Sequence, residues 1–539
     1  MPAHSIFDIP HIKDGITRFL SISDLAHCVL ASKEWSSLFM PVLWRTINFN
    51  GSIINTKKRL PVLECHPEFI QSLIDFDNKL LSRIDLSYQF PNLRSLDYSS
   101  TQFHSMKDCR VSDFLAASPR LEFIGLQLCI SKRVDLERLI NLLSSHNSLR
   151  RASFGLRCAW DPALLPQLLQ VCGRFDSLKL HLEEVRGSEK AAKKELRACD
   201  EIDAALENMQ PMQVRDLSIR LTMLKRRPNM LSSLLKKCTL LERLELIELR
   251  DIERLQQVLA VFQNTDFHHL KHLNLSDGTF QHGKADIAMD LIRALGTRSR
   301  DYDGGSTDCG RGLESFETYS PFAFGRKCAR ALVEYHSKTL VALDQSRQQS
   351  RDLQLFLDIV CSLPKLRSLR VGIWLGFGLG YFGRCISSED STLQSPWLCT
   401  GLATLDLDLG FPPGAQREDS SAWDDSQLDR RLVYLFEQIG RLINLREMSL
   451  KFGINLLELR RGYLSRLSGL KQLRGLDIRG SSCFHLGEME AVWVDENWSR
   501  LVHLLLPSQI LSDVNIPIEN GLEDFKATMQ ARRPWIWIE

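Results

Sequence analysis

From Phe90 onward the chain repeats one short pattern: an apolar residue, two variable positions, a second apolar residue, one variable position and a third apolar residue. Leu93/Leu96/Tyr98 is the first instance, followed by Leu121/Ile124/Leu126, Leu149/Ala152/Phe154, Phe175/Leu178/Leu180, Val214/Leu217/Ile219, Leu241/Leu244/Leu246 and Leu270/Leu273/Leu275. Leu313/Phe316, Leu340/Leu343, Leu366/Leu369/Val371, Leu402/Leu405/Leu407, Leu445/Met448/Leu450, Leu473/Leu476/Ile478 and Leu501/Leu504/Leu506 complete the series. Nine of the thirteen spacings between first positions fall between 26 and 29 residues. A unit of that size cannot bury its own apolar face, so each must stack on the next. The constraint argues against the several independent domains that 539 residues would otherwise suggest.

The period is that of leucine-rich repeats carrying a helix in each unit. The expected fold is therefore α/β, a solenoid with parallel strands on a concave face and helices on a convex one. Leu136, Leu139, Ile140 and Leu143 follow the i, i+3, i+4, i+7 rule of a helical stripe, and residues 353–363 repeat it. The ninth position of the repeat consensus, usually Asn or Cys, is Cys129 in one unit but Thr101, Arg157 and Trp374 in others. Irregular units are expected as a result. Residues 296–312 and 410–426 have turn composition, and 183–209 reads as a charged helical insert.

Charge and motifs exclude several classes of function. Lys and Arg number 68 against 66 Asp and Glu, a net charge of +2, which speaks against a protein that coats nucleic acid or an anionic membrane. No stretch approaches the roughly 18 consecutive apolar residues of a membrane span, and the first residues lack a signal-peptide pattern. The 14 cysteines contain no C-x-x-C, so reduced, mostly buried thiols in a cytoplasmic or nuclear setting are expected. Gly278, Gly283 and Lys284 satisfy a phosphate-loop spacing, but Ala285 stands where the magnesium-binding hydroxyl belongs. Gly378, Gly380 and Gly383 satisfy G-x-G-x-x-G without a helix behind them, and His268 and His272 are too far apart along a strand to share a metal. No cofactor, metal or catalytic group is expected.

The first 48 residues differ. Ile9, Ile12, Ile16, Phe19 and Leu20 form a helical stripe, with Asp8 a cap and Pro10 tolerated in the first turn. Ser21-Ile-Ser-Asp24 reads as a capping box opening a second helix with Leu25, Cys28 and Val29 on its inner face. A third segment carries Trp35, Leu38 and Phe39 and is expected to end at Pro41. Three helices this short bury too little area to be secure alone, which calls for another surface to pack on. Ile9-Pro10, Leu20-Ser-Ile-Ser-Asp24-Leu25, Lys33-Glu34-Trp35 and Leu43-Trp44 together resemble the F-box motif. Ile9 in place of Leu, Gly15 within the first helix and Ser32 in place of Cys depart from it.

The chain thus resembles F-box proteins with degenerate leucine-rich repeats. The resemblance implies a non-catalytic substrate receptor of a cullin-type ubiquitin ligase, meeting a Skp-type adaptor through Pro10, Ile12, Ile16, Leu20, Leu25 and Val29, with the repeats holding a protein substrate of unknown identity. The alternative is a repeat scaffold with no ubiquitin-ligase role. The implied organisation is a helical module at 4–48, a linker and leading cap at 49–89, about fourteen repeats at 90–510 and a C-terminal cap at 511–539. The variable residue between the second and third apolar positions faces the open side of the strands, and Asp97, Glu245, Glu317, Asp406 and Asp477 occupy it in five repeats, with Asp344, Lys179 and Arg370 in three more. That acidic stripe is the expected target-binding surface, suited to a basic segment of a partner. Trp493, Trp498, Trp535 and Trp537 near the C-terminus are expected to cap the last repeat or add to recognition.

Overall fold

The computed structural model describes residues 10–49, 65–75, 90–98, 117–130, 133–158, 164–184, 203–221, 229–247, 252–276, 284–301, 312–318, 325–350, 353–374, 396–410, 425–452, 462–479, 486–506 and 521–539, together with positions 63, 104–105 and 114–115. The chain divides into two units, Met1–Leu241 and Glu242–Glu539. Asp8, the phosphate-loop glycines and the G-x-G-x-x-G segment lie outside the described residues.

In the first unit, helices α1 (Pro10–Thr17), α2 (Ile22–Ala31) and α3 (Lys33–Leu43) precede strands β1 (Thr46–Asn48), β2 (Ser72–Ile74), β3 (Ser95–Tyr98), β4 (His104–Ser105), β5 (Phe123–Ile130), β6 (Arg151–Cys158), β7 (Ser177–Glu184) and β8 (Asp216–Leu221). Helices α4 (Arg133–Ser145), α5 (Leu165–Cys172) and α6 (Asn229–Lys237) lie between or after them. Every pairing is parallel and joins sequence neighbours, except that β3 and the short β4 pair with successive halves of β5.

The second unit carries β9 (Arg243–Ile247), β10 (His272–Ser276), β11 (Ser315–Thr318), β12 (Ala342–Ser350), β13 (Ser368–Trp374), β14 (Thr404–Gly410), β15 (Glu447–Phe452), β16 (Gly475–Asp477), β17 (His503–Leu505) and β18 (Trp537–Ile538). They alternate with α7 (Ile252–Asn264), α8 (Lys284–Asp301), α9 (Arg326–His336), α10 (Leu353–Val360), α11 (Asp425–Gly440), α12 (Tyr463–Arg466), α13 (Glu488–Asn497) and α14 (Gly521–Arg532). These strands also pair in parallel with their sequence neighbours. The architecture is a leucine-rich-repeat solenoid, and each of the fourteen apolar patterns read from the sequence falls on a strand.

One hydrogen-bonding device recurs at nearly every rung. The carbonyl just after the first apolar position accepts two N–H groups from the next rung, as Arg94 does from Glu122 at 2.8 Å and Phe123 at 2.9 Å. Glu122, Arg150 and Asp176 continue it in the first unit. Glu242, Lys271, Glu314, Val341, Arg367, Ala403, Arg446 and Arg474 do so in the second. A carbonyl has two lone pairs, so both donors are satisfied by one acceptor and the turn into each strand is locked to its neighbour. The ladder begins before residue 90: the Arg45 carbonyl already accepts Gln71 and Ser72, so rungs form at β1, at the end of the segment expected as the helical module, and at β2, within the segment expected as a linker. It also runs past 510, where Trp537 donates to Val502 and β18 becomes the last rung.

Behind the strands lies the core. All the apolar triplet residues are buried, as are Leu136, Leu139, Ile140 and Leu143 of α4. Each fully buried Leu or Phe contributes roughly 1.5–3 kcal/mol, an upper figure because the unfolded chain is itself partly compact. Residues 296–301 belong to α8 rather than to a turn. Gly296 sits inside that helix because a Cβ there would run into the Tyr335 side chain of α9. Two arginines close helix ends: Arg174 donates to the Leu143, Ser144 and His146 carbonyls of α4, and Arg533 to Trp498 O and Asp495 O at the end of α13. The free C-terminal carbonyls and helix dipole favour a cation there. Cys172, Cys238, Cys328 and Cys399 are buried free thiols, and burial pushes the last three up to about 12, whereas Cys28, Cys129 and Cys361 are half-buried and Cys65 is exposed.

His336, at the end of α9, is fully enclosed. Its Nδ1 accepts the Leu313 N–H at 3.1 Å and its Nε2 donates to the Ile292 carbonyl at 3.0 Å, which requires the neutral ring. Burial lowers its pKa from 6.5 to about 4, against a smaller upward pull from the Ile292 bond. With the folded value depressed, the stabilisation is full above the unfolded pKa of 6.5 and is lost as pH falls toward 4. The urea midpoint of the second unit is expected to drop between about pH 7 and pH 4.5, the His336 share amounting to roughly 3 kcal/mol, and His336→Gln should start lower at neutral pH and lose that part of the slope.

Candidate functional interfaces

In the helical module, Ser21 caps α2 as a capping box: its Oγ accepts the Asp24 N–H at 3.1 Å and its own N–H donates to Asp24 Oδ2 at 3.0 Å. The side-chain and backbone hydrogen bonds from Ser21 hold the Asp24 carboxyl below its usual value. Ser32, where the F-box pattern usually has Cys, caps α3 by accepting the Trp35 N–H at 3.1 Å. Helix α3 does not stop at Pro41 but runs to Leu43. Pro41 lies in its last turn, where the Trp44 N–H reaches back to the Met40 carbonyl and closes the helix. Arg45 then supplies the first double-acceptor carbonyl, so the module leads straight into the repeats.

The expected adaptor-binding residues do not share one environment. Ile12 is exposed, Ile16, Leu20 and Val29 are half-buried, and Leu25 is only 6% exposed, turned into the chain's own core. Pro10 opens α1 at its first position. Three apolar side chains that the sequence reading did not put forward for this role are far more open: Phe19 at 90%, Leu30 at 82% and Ile22 at 77%. Phe19 and Ile22 sit at helical spacing from inward positions, so periodicity gave no sign of their exposure; only Leu30, offset by one from the inward-reading Val29, departs from the stripe. Large exposed apolar groups clustered on a few short helices mark interaction surfaces.

On the strand face, register brings Glu245, Asn274, Glu317, Asp344, Arg370, Asp406, Ser449 and Asp477 into one row across β9–β16. Four of the five expected target-binding acids therefore share a row; Asp97 lies on β3 of the first unit, opposite Gly125. Much of the row's charge is already engaged. Asn274 Nδ2 donates to Glu245 Oε1 at 3.2 Å and Glu317 Oε2 at 2.9 Å. Arg370 pairs with Asp344 at 3.3 Å and Arg479 with Asp477 at 3.0 Å.

Burial raises the Glu317 carboxyl, and the neighbouring Asp344 and Glu245 carboxylates add to the rise. At Asp477 burial acts upward, but hydrogen bonds from the Arg479 side chain and backbone outweigh it and hold the group low. His268 pairs with Asp266 at 2.6 Å rather than with His272, and no cluster of metal-ligating side chains occurs among the described residues. Of the four C-terminal tryptophans, Trp498 is buried with its Nε1 donating to the Leu467 carbonyl, whereas Trp535 and Trp537 are exposed.

No protein-family model matches the chain, and no curated protein matches it. Among solved structures, a leucine-rich-repeat protein of Leptospira interrogans is similar at 14% identity and a TM-score of 0.36, over 88% of this chain and 90% of the other. The yeast Rad7 and Elc1 complex is similar at 11% identity and a TM-score of 0.38, over 99% and 98%. At such scores the fold assignment rests on the strand register itself.

The Asn274 amide is the neutral spacer of the Glu245–Glu317 pair. Asn274→Asp puts a third carboxylate between two others, and the melting temperature at about pH 7.5 is expected to fall by the equivalent of roughly 1–3 kcal/mol, with the gap to the parent narrowing toward pH 5 as the crowded carboxyls protonate.

Proposed function

We propose that the chain is a non-catalytic receptor of a cullin-type ubiquitin ligase: its N-terminal helices dock on a Skp-type adaptor, and a strand face holds the protein to be ubiquitinated. The observation that carries this reading is the set of apolar side chains, Ile12, Phe19, Ile22 and Leu30, left open on α1, on the turn behind it and on α2, in a three-helix segment whose sequence resembles the F-box. A helical module built only to cap the repeats would turn such groups inward, because exposing them forgoes roughly 1.5–3 kcal/mol each. The repeats supply surface rather than chemistry. Catalytic gain comes from proximity, as a target lysine held near the ligase core meets the ubiquitin donor at high effective concentration. Of the residues the resemblance assigns to the adaptor, Ile12, Ile16, Leu20 and Val29 have exposed area to offer, and Leu25 supports them from within.

Purification of the full chain with a Skp-type adaptor tests this. The adaptor is expected to co-purify, and Phe19→Asp with Leu30→Asp should weaken it by about 10-fold or more while leaving the melting temperature close to the parent's, since both side chains are solvated. Ile16→Asp with Leu20→Asp should abolish it. An adaptor that fails to bind the parent chain would leave a repeat scaffold without a ligase role.

A further inference from the structure

The residues that carry the double-acceptor carbonyls also place their side chains in a row, along the leading edge of each sheet. In the first unit the row alternates in sign: Arg94, Glu122, Arg150, Asp176, with Arg94 and Glu122 paired at 3.3 Å. The second unit starts the same way, Glu242, Lys271, Glu314, with Lys271 and Glu314 paired at 2.9 Å. After Glu314 the alternation stops. The row continues Val341, Arg367, Ala403, Arg446, Arg474, with no acid among them.

All three guanidinium groups belong to exposed residues, and none has an ion-pair or side-chain hydrogen-bond partner among the described residues. Adjacent parallel strands lie about 4.8 Å apart, so Arg367 to Arg474 spans roughly 14 Å. Lys365, Lys471 and Arg500 stand two or three positions before the same edge and are also exposed, Lys471 donating to the Asn497 carbonyl at 3.2 Å and Arg500 to the Gln472 side chain. The single carboxylate in these turns, Glu447, lies over Gly475 on the neighbouring rung, where the missing Cβ leaves room for it. By contrast, the acidic row further along the strands has Asp344 and Asp477 already paired and Glu317 bonded to Asn274. At the leading edge itself the uncommitted charge is positive, and Asp406, further along β14, is the one acid of the acidic row without an ion pair or side-chain hydrogen bond among the described residues.

We infer that the leading edge of β13–β16 is a docking strip for an acidic, extended protein segment, gripped by Arg367, Arg446 and Arg474. The inference rests on the reading that a strand face holds a partner, and it names the chemistry of that partner. Guanidinium forks suit carboxylates because they bind them bidentately. Charge complementarity of this kind sets on-rate and selectivity. A nucleic-acid strand fits less well: three arginines over four rungs, roughly 14 Å, offer few of the phosphate contacts on which such binding depends.

The test uses the full-length chain and a fluorescein-labelled peptide of alternating glutamate and serine, followed by anisotropy at low salt. Binding is expected, with a dissociation constant that weakens about 10-fold or more in the Arg367→Gln/Arg446→Gln/Arg474→Gln variant and by a smaller factor in the corresponding triple Lys variant, which keeps the charge but loses the fork. Removal of three arginines from the first unit, Arg120→Gln/Arg150→Gln/Arg215→Gln, should leave it unchanged. Absence of binding by the parent chain overturns the inference, as does an equal loss in the first-unit variant. Tighter binding of a labelled oligothymidine strand through the same three arginines overturns it in favour of nucleic acid. Adaptor co-purification is read on the parent chain: its presence where the parent fails to bind the peptide refutes only the strip, and its absence with peptide binding intact refutes only the ligase role.

Discussion

A single carbonyl oxygen that accepts two N–H groups from the following rung is the contact on which the remaining architecture is built. It recurs from Arg45 through Asp176 in one unit and from Glu242 through Arg474 in the other. The bond is made by backbone alone, so side-chain identity at that position is free to vary. That freedom explains how Arg, Glu, Asp, Lys, Val and Ala all occupy it without disturbing register. Behind it, the three apolar side chains of each strand interlock with those of the next rung and with the helix stripe. The asparagine ladder common in such repeats is largely missing, and this backbone ladder ties successive units together instead.

Because the register is regular, side chains at equivalent positions become physical rows, and rows create electrostatics that no single residue has. Glu317 illustrates it: its carboxyl is raised by burial and by Asp344 and Glu245, residues 27 and 72 positions away in sequence but one and two rungs away in space. The leading-edge row shows the other side of the same geometry. Where signs alternate the row neutralises itself, and where alternation lapses, at Arg367, Arg446 and Arg474, exposed cations accumulate.

The helical module follows a different logic. Three short helices are fixed by local chemistry, Ser21 with Asp24 and Ser32 with the Trp35 N–H, and by Leu25 and Phe39 turned inward. What remains on the outside is more apolar than a cap needs. The capping box was readable because it depends on residues three apart in sequence. The exposure of Phe19, Ile22 and Leu30 was not, because helical periodicity tells which residues share a face but not which face a neighbouring element covers.

The same division runs through the whole chain. Sequence alone determined the repeat length, the fourteen strand positions, the inward apolar triplets and the capping box, since each follows from short-range periodicity or contacts within one turn. The sequence reading placed the start of the ladder too late, ended α3 at Pro41 and took 296–301 for a turn, where Gly296 in fact answers to the Tyr335 side chain of another helix. Only the tertiary structure decided which acids are already engaged, that Leu25 is core rather than surface, and that unpaired positive charge gathers at one edge. Those properties depend on what lies on the next rung, roughly 28 residues away in sequence and about 5 Å away in space.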